Sequence, residues 1–502
     1  MKYNNPVIKG FYPDPSVCKV GDKYYLVCST MQYFPGVPIF QSEDLINWQQ
    51  IGHCLTRKSQ IELNKVKSSG GVFAPTIRYF NGVFYMTTTN SSTGQNFYVV
   101  TEDIYGEWSE PIYVDQGGID PSLYFEDDKT YFMSNGKDDN GICGIVQCEI
   151  DVKTGKKLTS SRTIWQGSGG RFLEGPHMYK IGEKYYLMAA EGGTEFGHMV
   201  TYARGESPYG DFEAYPYNPV LTNRNLGAYE IQAVGHGDLV QDNSGNWWIL
   251  HLGFRQIDEW IPYHHLGREV FLTPVTFGED DWFTAGDKGT TIKTFDTNRI
   301  NDRVIQREKK CYTFKNTEWD KDWCYLRLPH FENYLLEENM LKLKGTEITL
   351  DEVDSPTFIG LRQKDFNAII SCDVSISEGE AGITLYMDEN HHYDLAIRKK
   401  KNGYEVIEGL NIGDIKSIEK VVDLKDINTA SLVISANNTY YNFFIEKEGK
   451  QIYLGKAQTK YLSSEVAGGF TGVIIGLYAY DKNCTNYGEF TNFKCQYSEN
   501  GE

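Results

Sequence analysis

Apolar and ring residues in the first half of the chain come in short bursts, each opened by a turn of Gly, Asn or Asp. Five bursts resemble one another: GDKYYLVCST (21–30), NGVFYMTTTN (81–90), DDKTYFMSNG (127–136), GEKYYLMAAE (182–191) and SGNWWILHLG (244–253). Their matching rings are Tyr25, Tyr85, Tyr131, Tyr186 and Trp248, between 46 and 62 residues apart. Ahead of each turn lies a second short run: DPSVCKV, APTIRYF, DPSLYFE, GPHMYKI and GHGDLVQ. This is a β-hairpin repeated five times. Each unit has room for about four strands, and SEDLINW (42–48) and TEDIYGEW (101–108) are matching outer segments after two of the hairpins. One such sheet cannot hide both faces, so the units must stack around an axis. The expectation is a five-bladed β-propeller over residues 1–290, with little helical periodicity anywhere in it.

The texture changes after Thr290. Residues 291–325 are polar and charged and mark a linking boundary that could cross back over the propeller. Beyond it, alternating segments such as AGITLYMDENHHYDLAIRKKK and YYNFFIEKEGKQIYLGKA are separated by charged hairpin turns. Residues 326–502 are therefore expected to form a C-terminal antiparallel β-sandwich, which makes the chain all-β.

Composition narrows the partners. Lys plus Arg number 49 and Asp plus Glu 68, a formal charge of −19. That balance argues against nucleic acid and against an anionic membrane. Rings make up 14% of the chain and suit sugar faces as well as strands. The ten cysteines are scattered without a CxxC, and the N-terminal run MKYNNPVIKGFYPDPS carries no apolar leader, so a cytoplasmic protein is expected. There is no Walker A, no GxGxxG after a strand and no GxSxG.

The first strand of a propeller blade runs nearest the axis, so the residues just before it converge at one end of the hub. Counting back from each matching ring, Asp14, Ala74 and Asp120 lie 11 residues before theirs, and Glu174 and His236 lie 12 before theirs. Three carboxyls and a histidine thus occupy equivalent posts on four blades. Two carboxyls across a glycosidic bond suffice to hydrolyse an acetal, one as proton donor and one ionised. Glu174 has the longer reach and the higher reference pKa, and the apolar segment RFLEGPHMY would raise it further. It is the expected general acid; Asp14 and Asp120 divide the roles of base and modulator, in an order that spacing leaves open. His236 could bind a metal through waters, with structural calcium at the axis as the candidate, or hydrogen-bond a carboxylate; no cofactor is needed for the chemistry. Arg268 could donate to sugar hydroxyls. Tyr33, Phe34 and Phe73 are candidate sugar platforms, Phe73 foremost because it adjoins Ala74; Trp48 and Trp108 are expected to pack between blades.

The motifs NPVIKGFYPDPS, SGGVFAPTIRY, IDPSLYF, LEGPHMY, GHGDLV and LGREVFLTPV, in that order, resemble glycoside hydrolase family 43 and, within it, the β-xylosidase/α-L-arabinofuranosidase group. The resemblance runs over essentially the whole chain. It implies that Asp14 is the general base acting on water with inversion, Asp120 the residue that tunes and orients the acid, and Glu174 the acid. It implies that His236 is an axial residue of the site, that Arg268 contacts substrate, and that Phe470 is an aromatic supplied by a loop of the sandwich. It also implies exo action on small pentose-containing oligosaccharides and leaves room for a homo-oligomer. The chain departs from many related xylosidases in having Phe73 where they carry Trp and Met31 where they carry Phe near the non-reducing sugar. Xylose and arabinofuranose therefore both remain open, as do an arabinofuranosidase with little xylosidase activity, an endo-arabinanase, and a non-catalytic carbohydrate-binding propeller.

Overall fold

The computed structural model describes residues 2–258, 260–297, 310–315 and 318–498. Five four-stranded antiparallel sheets succeed one another, each made of strands that follow one another in the chain, except in the first, where Tyr33–Phe34 intervenes and joins another sheet. Their first strands are Ser16–Val20, Thr76–Phe80, Ile119–Glu126, Glu174–Ile181 and Ile231–Gln241. Each first strand packs against that of the next blade, and the fifth packs against the first, which closes the ring. The second strands, Lys23–Val27, Val83–Asn90, Lys129–Lys137, Lys184–Glu191 and Trp247–Arg255, carry the five matching rings. Segments 42–48 and 101–108 are the turns that lead from third to fourth strands (Gln49–Leu55 and Ile112–Val114) rather than strands themselves. Their Asp residues explain this: Asp44 accepts from the backbone N–H groups of Ile46 and Asn47, the local bonding that Asp offers in place of a ladder.

Two devices hold the ring. At its seam Lys2–Asn4 pairs with Thr294–Asp296, and Val7 and Ile8 bond the backbone of Val270 in blade five. At its hub Asp238 is fully buried and accepts from Ser16 Oγ (2.6 Å), Val17 N (3.0 Å) and both Arg78 Nη atoms (2.8 and 3.1 Å), and also from the Tyr179 hydroxyl. One carboxylate thereby ties blades one, two, four and five. Burial opposes its charge, but the Arg78 guanidinium overcomes that and holds it well below the usual carboxylate range.

The second unit is a sandwich of an eight-stranded and a seven-stranded sheet. The eight-stranded sheet ends on a strand lent by the propeller: Tyr33–Phe34 pairs with Leu326 and Tyr325. One apolar core runs through both units, from Val37, Leu55 and Ile77 to Trp323, Leu361 and Leu477, so the seam is a packed core rather than a tether. This seam corrects the expectation for Phe34: its ring is buried at the seam against Phe331 and does not line the cavity at the hub, and Tyr33 is buried beside it. Trp48 packs against the core of blades one and five, and Trp108 is buried, as interblade packing requires. Of the boundary segment, residues 298–309 lie outside the described residues, and with them any course of the linker back over the propeller.

Candidate active site

Asp14 and Asp120 adopt a left-handed backbone, with φ of 55° and 56°, at equivalent posts where their first strands begin. Asp tolerates this conformation better than most residues. Blade four reaches the same kink one residue later, at Gly175 (φ 59°), and there a Cβ would stand 3.0 Å from the His236 imidazole, so glycine is required twice over. His236 itself has φ 45°. The first strands of blades three, four and five are bulged between Ile119 and Ser122, Glu174 and His177, and Gln232 and Gly237. Bulges re-aim side chains, and here they turn the posts toward the hub.

The result is one cavity of about 130 Å³ lined by Asp14, Asp120 and Glu174 together with His236, Arg268 and Phe73. Met31, Ala74, Ile119, Thr194 and Phe470 complete its wall. A second space, of about 490 Å³, adjoins it across Glu174, Thr194, Arg268 and Phe470, and Phe172, Phe196 and Phe254 line it further out. The sandwich supplies Phe470 on a loop stitched to the propeller: its N–H donates to Ser69 Oγ (2.8 Å) and its carbonyl accepts from Arg268 Nη2 (3.3 Å). Two residues that counting did not find secure the same loop, Glu465 accepting from the His264 backbone N–H (2.9 Å) and lying 2.8 Å from its Nδ1.

The three carboxyls are electrostatically distinct. Asp14 is buried, which alone would raise it; Arg268 Nη1 at 3.0 Å, His236 Nδ1 at 3.7 Å and the hydroxyl of Ser29 reverse that and lower its pKa. Glu174 is raised to about 7, first by burial and then by the charge of Asp14. Asp120 is raised by burial and by the charges of Glu174 and Asp14, while its Oδ2 accepts from the Gly175 N–H at 3.0 Å and so fixes the backbone beside Glu174. Below about pH 7 the site therefore favours an ionised Asp14 and a protonated Glu174 over one cavity, the arrangement that can split a glycosidic bond. Arg268 Nη1 also donates to Thr194 Oγ1 (2.7 Å), while its buried Nε has no acceptor among the described residues.

Nothing in the site supports an axial calcium. His236 faces a carboxylate already held by a guanidinium, which competes with any ion there, and among the described residues no group of three or more His, Cys, Asp or Glu could hold a metal. Among the described residues no helix is long and apolar enough to cross a membrane.

The fold and the carboxyl trio define a glycosidase. The chain belongs to the glycosyl hydrolases family 43, whose model matches residues 3–283, followed by the β-xylosidase C-terminal concanavalin A-like domain over residues 311–496; it falls in the xylosidase/arabinofuranosidase group. It is 39% identical to a non-reducing end α-L-arabinofuranosidase of Bacteroides ovatus, over 98% of this chain and 95% of that one. It is 37% identical to a xylosidase/arabinosidase of Butyrivibrio fibrisolvens, over 98% of each. Among solved structures, xylan β-1,4-xylosidase from Bacillus halodurans superposes with a TM-score of 0.91 at 28% identity, over 99% of this chain and 100% of that one.

Proposed function

We propose that this glycosidase is exo-acting and inverting, and that it removes terminal β-D-xylosyl or α-L-arabinofuranosyl units from short oligosaccharides. The observation that carries the reading is the 130 Å³ cavity shared by Asp14, whose pKa is lowered beside Arg268, and Glu174, whose pKa burial and Asp14 raise to about 7. In this reading Glu174 gives its proton to the glycosidic oxygen as the bond to the anomeric carbon breaks. Asp14, kept ionised by Arg268, takes a proton from the water that attacks the opposite face. Asp120 orients the acid through the Gly175 amide, and Arg268, His236 and Phe73 hold the sugar, with Met31 and Phe470 at its edge. A small cavity walled by a loop of the second unit suits the end of a chain rather than its middle, which supports exo over endo action. The assignment of catalysis to residues 1–290 and of pocket completion to the sandwich over 326–502 belongs to the same proposal and is supported by the stitched Phe470 loop. A cytoplasmic site of action is supported by ten unpaired thiols.

A preference for arabinofuranose is the second reading, favoured by Met31 and Phe73 and by the likeness to the 39% identical arabinofuranosidase. Rates on paired 4-nitrophenyl β-D-xyloside and α-L-arabinofuranoside, with product analysis on xylobiose and arabinose-decorated xylo-oligosaccharides, separate the two. Release of single pentoses from chain ends is expected, whereas early mixed oligomers or binding without turnover would overturn the proposal.

A further inference from the structure

The acid Glu174 has a neighbour that counting from the rings does not find. His198 directly precedes the third strand of blade four, Met199–Gly205, and is fully buried. Its Nδ1 lies 3.1 Å from the Ala233 carbonyl. A carbonyl can only accept, so the ring proton is on Nδ1. Nε2 is then a bare lone pair; it has no hydrogen-bond partner among the described residues and stands 3.9 Å from Glu174 Oε1.

This aim is built rather than incidental. Ala233 has φ 55° within the bulged start of blade five, which turns its carbonyl toward the imidazole. At Gly235 a Cβ would stand 2.4 Å from His198 Nδ1, so the strand accepts the ring only because glycine is there. The backbone on either side is bound as well: His198 N–H donates to the Glu195 carbonyl (2.9 Å) and Thr222 Oγ1 donates to the His198 carbonyl (2.7 Å).

We propose that His198 is a positioning residue for the acid: its bare Nε2 faces the Glu174 carboxyl, favours the protonated form and draws the side chain toward the leaving-group side. The inference rests on the reading of Glu174 as proton donor. A lone pair aimed at a carboxylate repels it, whereas the same lone pair accepts from the acid form after a movement of about 1 Å to hydrogen-bond distance. Protonation of the imidazole would reverse this effect, and burial, with His236 and Arg268 nearby, lowers its pKa to about 3 despite the Ala233 bond and the charge of Asp14. The charged groups acting on Glu174 itself are Asp14, which favours the acid, and Arg268, which opposes it, while Asp120 is in turn raised by the charge of Glu174.

The test uses the full-length chain with His198→Asn and His198→Gln. Asn keeps a donor for the Ala233 carbonyl but has no atom at the Nε2 position; Gln returns an acceptor there. The Glu174 titration is followed directly by ¹³C NMR of glutamate-labelled protein, assigned with Glu174→Gln. The midpoint is expected to fall by about one pH unit in the Asn variant and to return toward wild type in the Gln variant. In kinetics the Asn variant should lose about tenfold or more on xylobiose but less than about threefold on a 4-nitrophenyl pentoside, whose leaving group needs little protonation. An unmoved midpoint, or equal losses on both substrates, would overturn the proposal. A midpoint that moves in a protein that cleaves neither pentoside would uphold the positioning and sink the hydrolase reading instead.

Discussion

Glu174→Gln replaces the acid with a neutral side chain of nearly the same shape, and the structure sets the size of the response. Burial and the Asp14 charge raise the folded-state pKa to about 7 from a reference of 4.5. A group whose pKa rises on folding contributes its full stability below the unfolded value and loses it as pH climbs through the folded one. The span of roughly 2.5 units, at ~1.36 kcal/mol each, makes the ionised side chain cost about 3 kcal/mol at pH 8. The Glu174 side chain is 18% exposed, so solvent screening trims this figure only modestly. Gln carries no such cost. The variant should match wild type in thermal midpoint near pH 4, exceed it by several degrees at pH 8, and lose activity on xylobiose by about 10³-fold. Differential scanning calorimetry at the two pH values, beside a rate assay, reads both outcomes. Equal midpoints for the two proteins at pH 8 would refute the claim that the cavity holds Glu174 protonated.

Three further outcomes follow from the same geometry. Asp14→Asn should reduce kcat/KM by about 10³-fold or more on aryl pentosides and xylobiose alike, since water activation is needed whatever the leaving group; a loss confined to xylobiose would contradict its role. Because Asp14 is lowered and Glu174 raised to about 7, kcat/KM should be flat on the acidic side down to below the usual aspartate range and fall about tenfold per unit above pH 7, as a pH–rate series would read. Deleting residues 300–502 should yield protein with neither a cooperative melt nor activity, because it bares the core that Val37 and Leu55 share with Trp323 and Leu361; an active, folded propeller would refute this.

The blade count and the carboxyl posts were legible because the hairpin repeats with an almost fixed offset, and a closed ring converts that offset into a place at the hub. What the count could not carry is orientation. Phe34 looked like a sugar platform from composition alone, but the two residues Tyr33–Phe34 leave blade one to join the sandwich sheet, a long-range pairing with Tyr325 and Leu326 that no local pattern announces. His198 stayed hidden for a related reason: it precedes a third strand, and its role depends on a bulge some 35 residues further on that aims the Ala233 carbonyl. Phe470 was found only through the family resemblance, since its place at the cavity follows from bonds to Ser69 and Arg268 in the other unit. The sequence also could not reveal that Arg268 already pairs with the Asp14 carboxylate beside His236, which leaves an axial calcium without support.

The central claim is that Asp14 activates water on the face opposite the bond that Glu174 protonates. Proton NMR of the first sugar released from a β-xyloside, recorded before the anomers equilibrate, tests it most directly. α-D-xylose is expected first, with Asp14→Asn and Glu174→Gln each slowing its release from xylobiose by about 10³-fold. β-D-xylose as the first product would instead require a covalent intermediate on a carboxylate and would contradict the role given to Asp14.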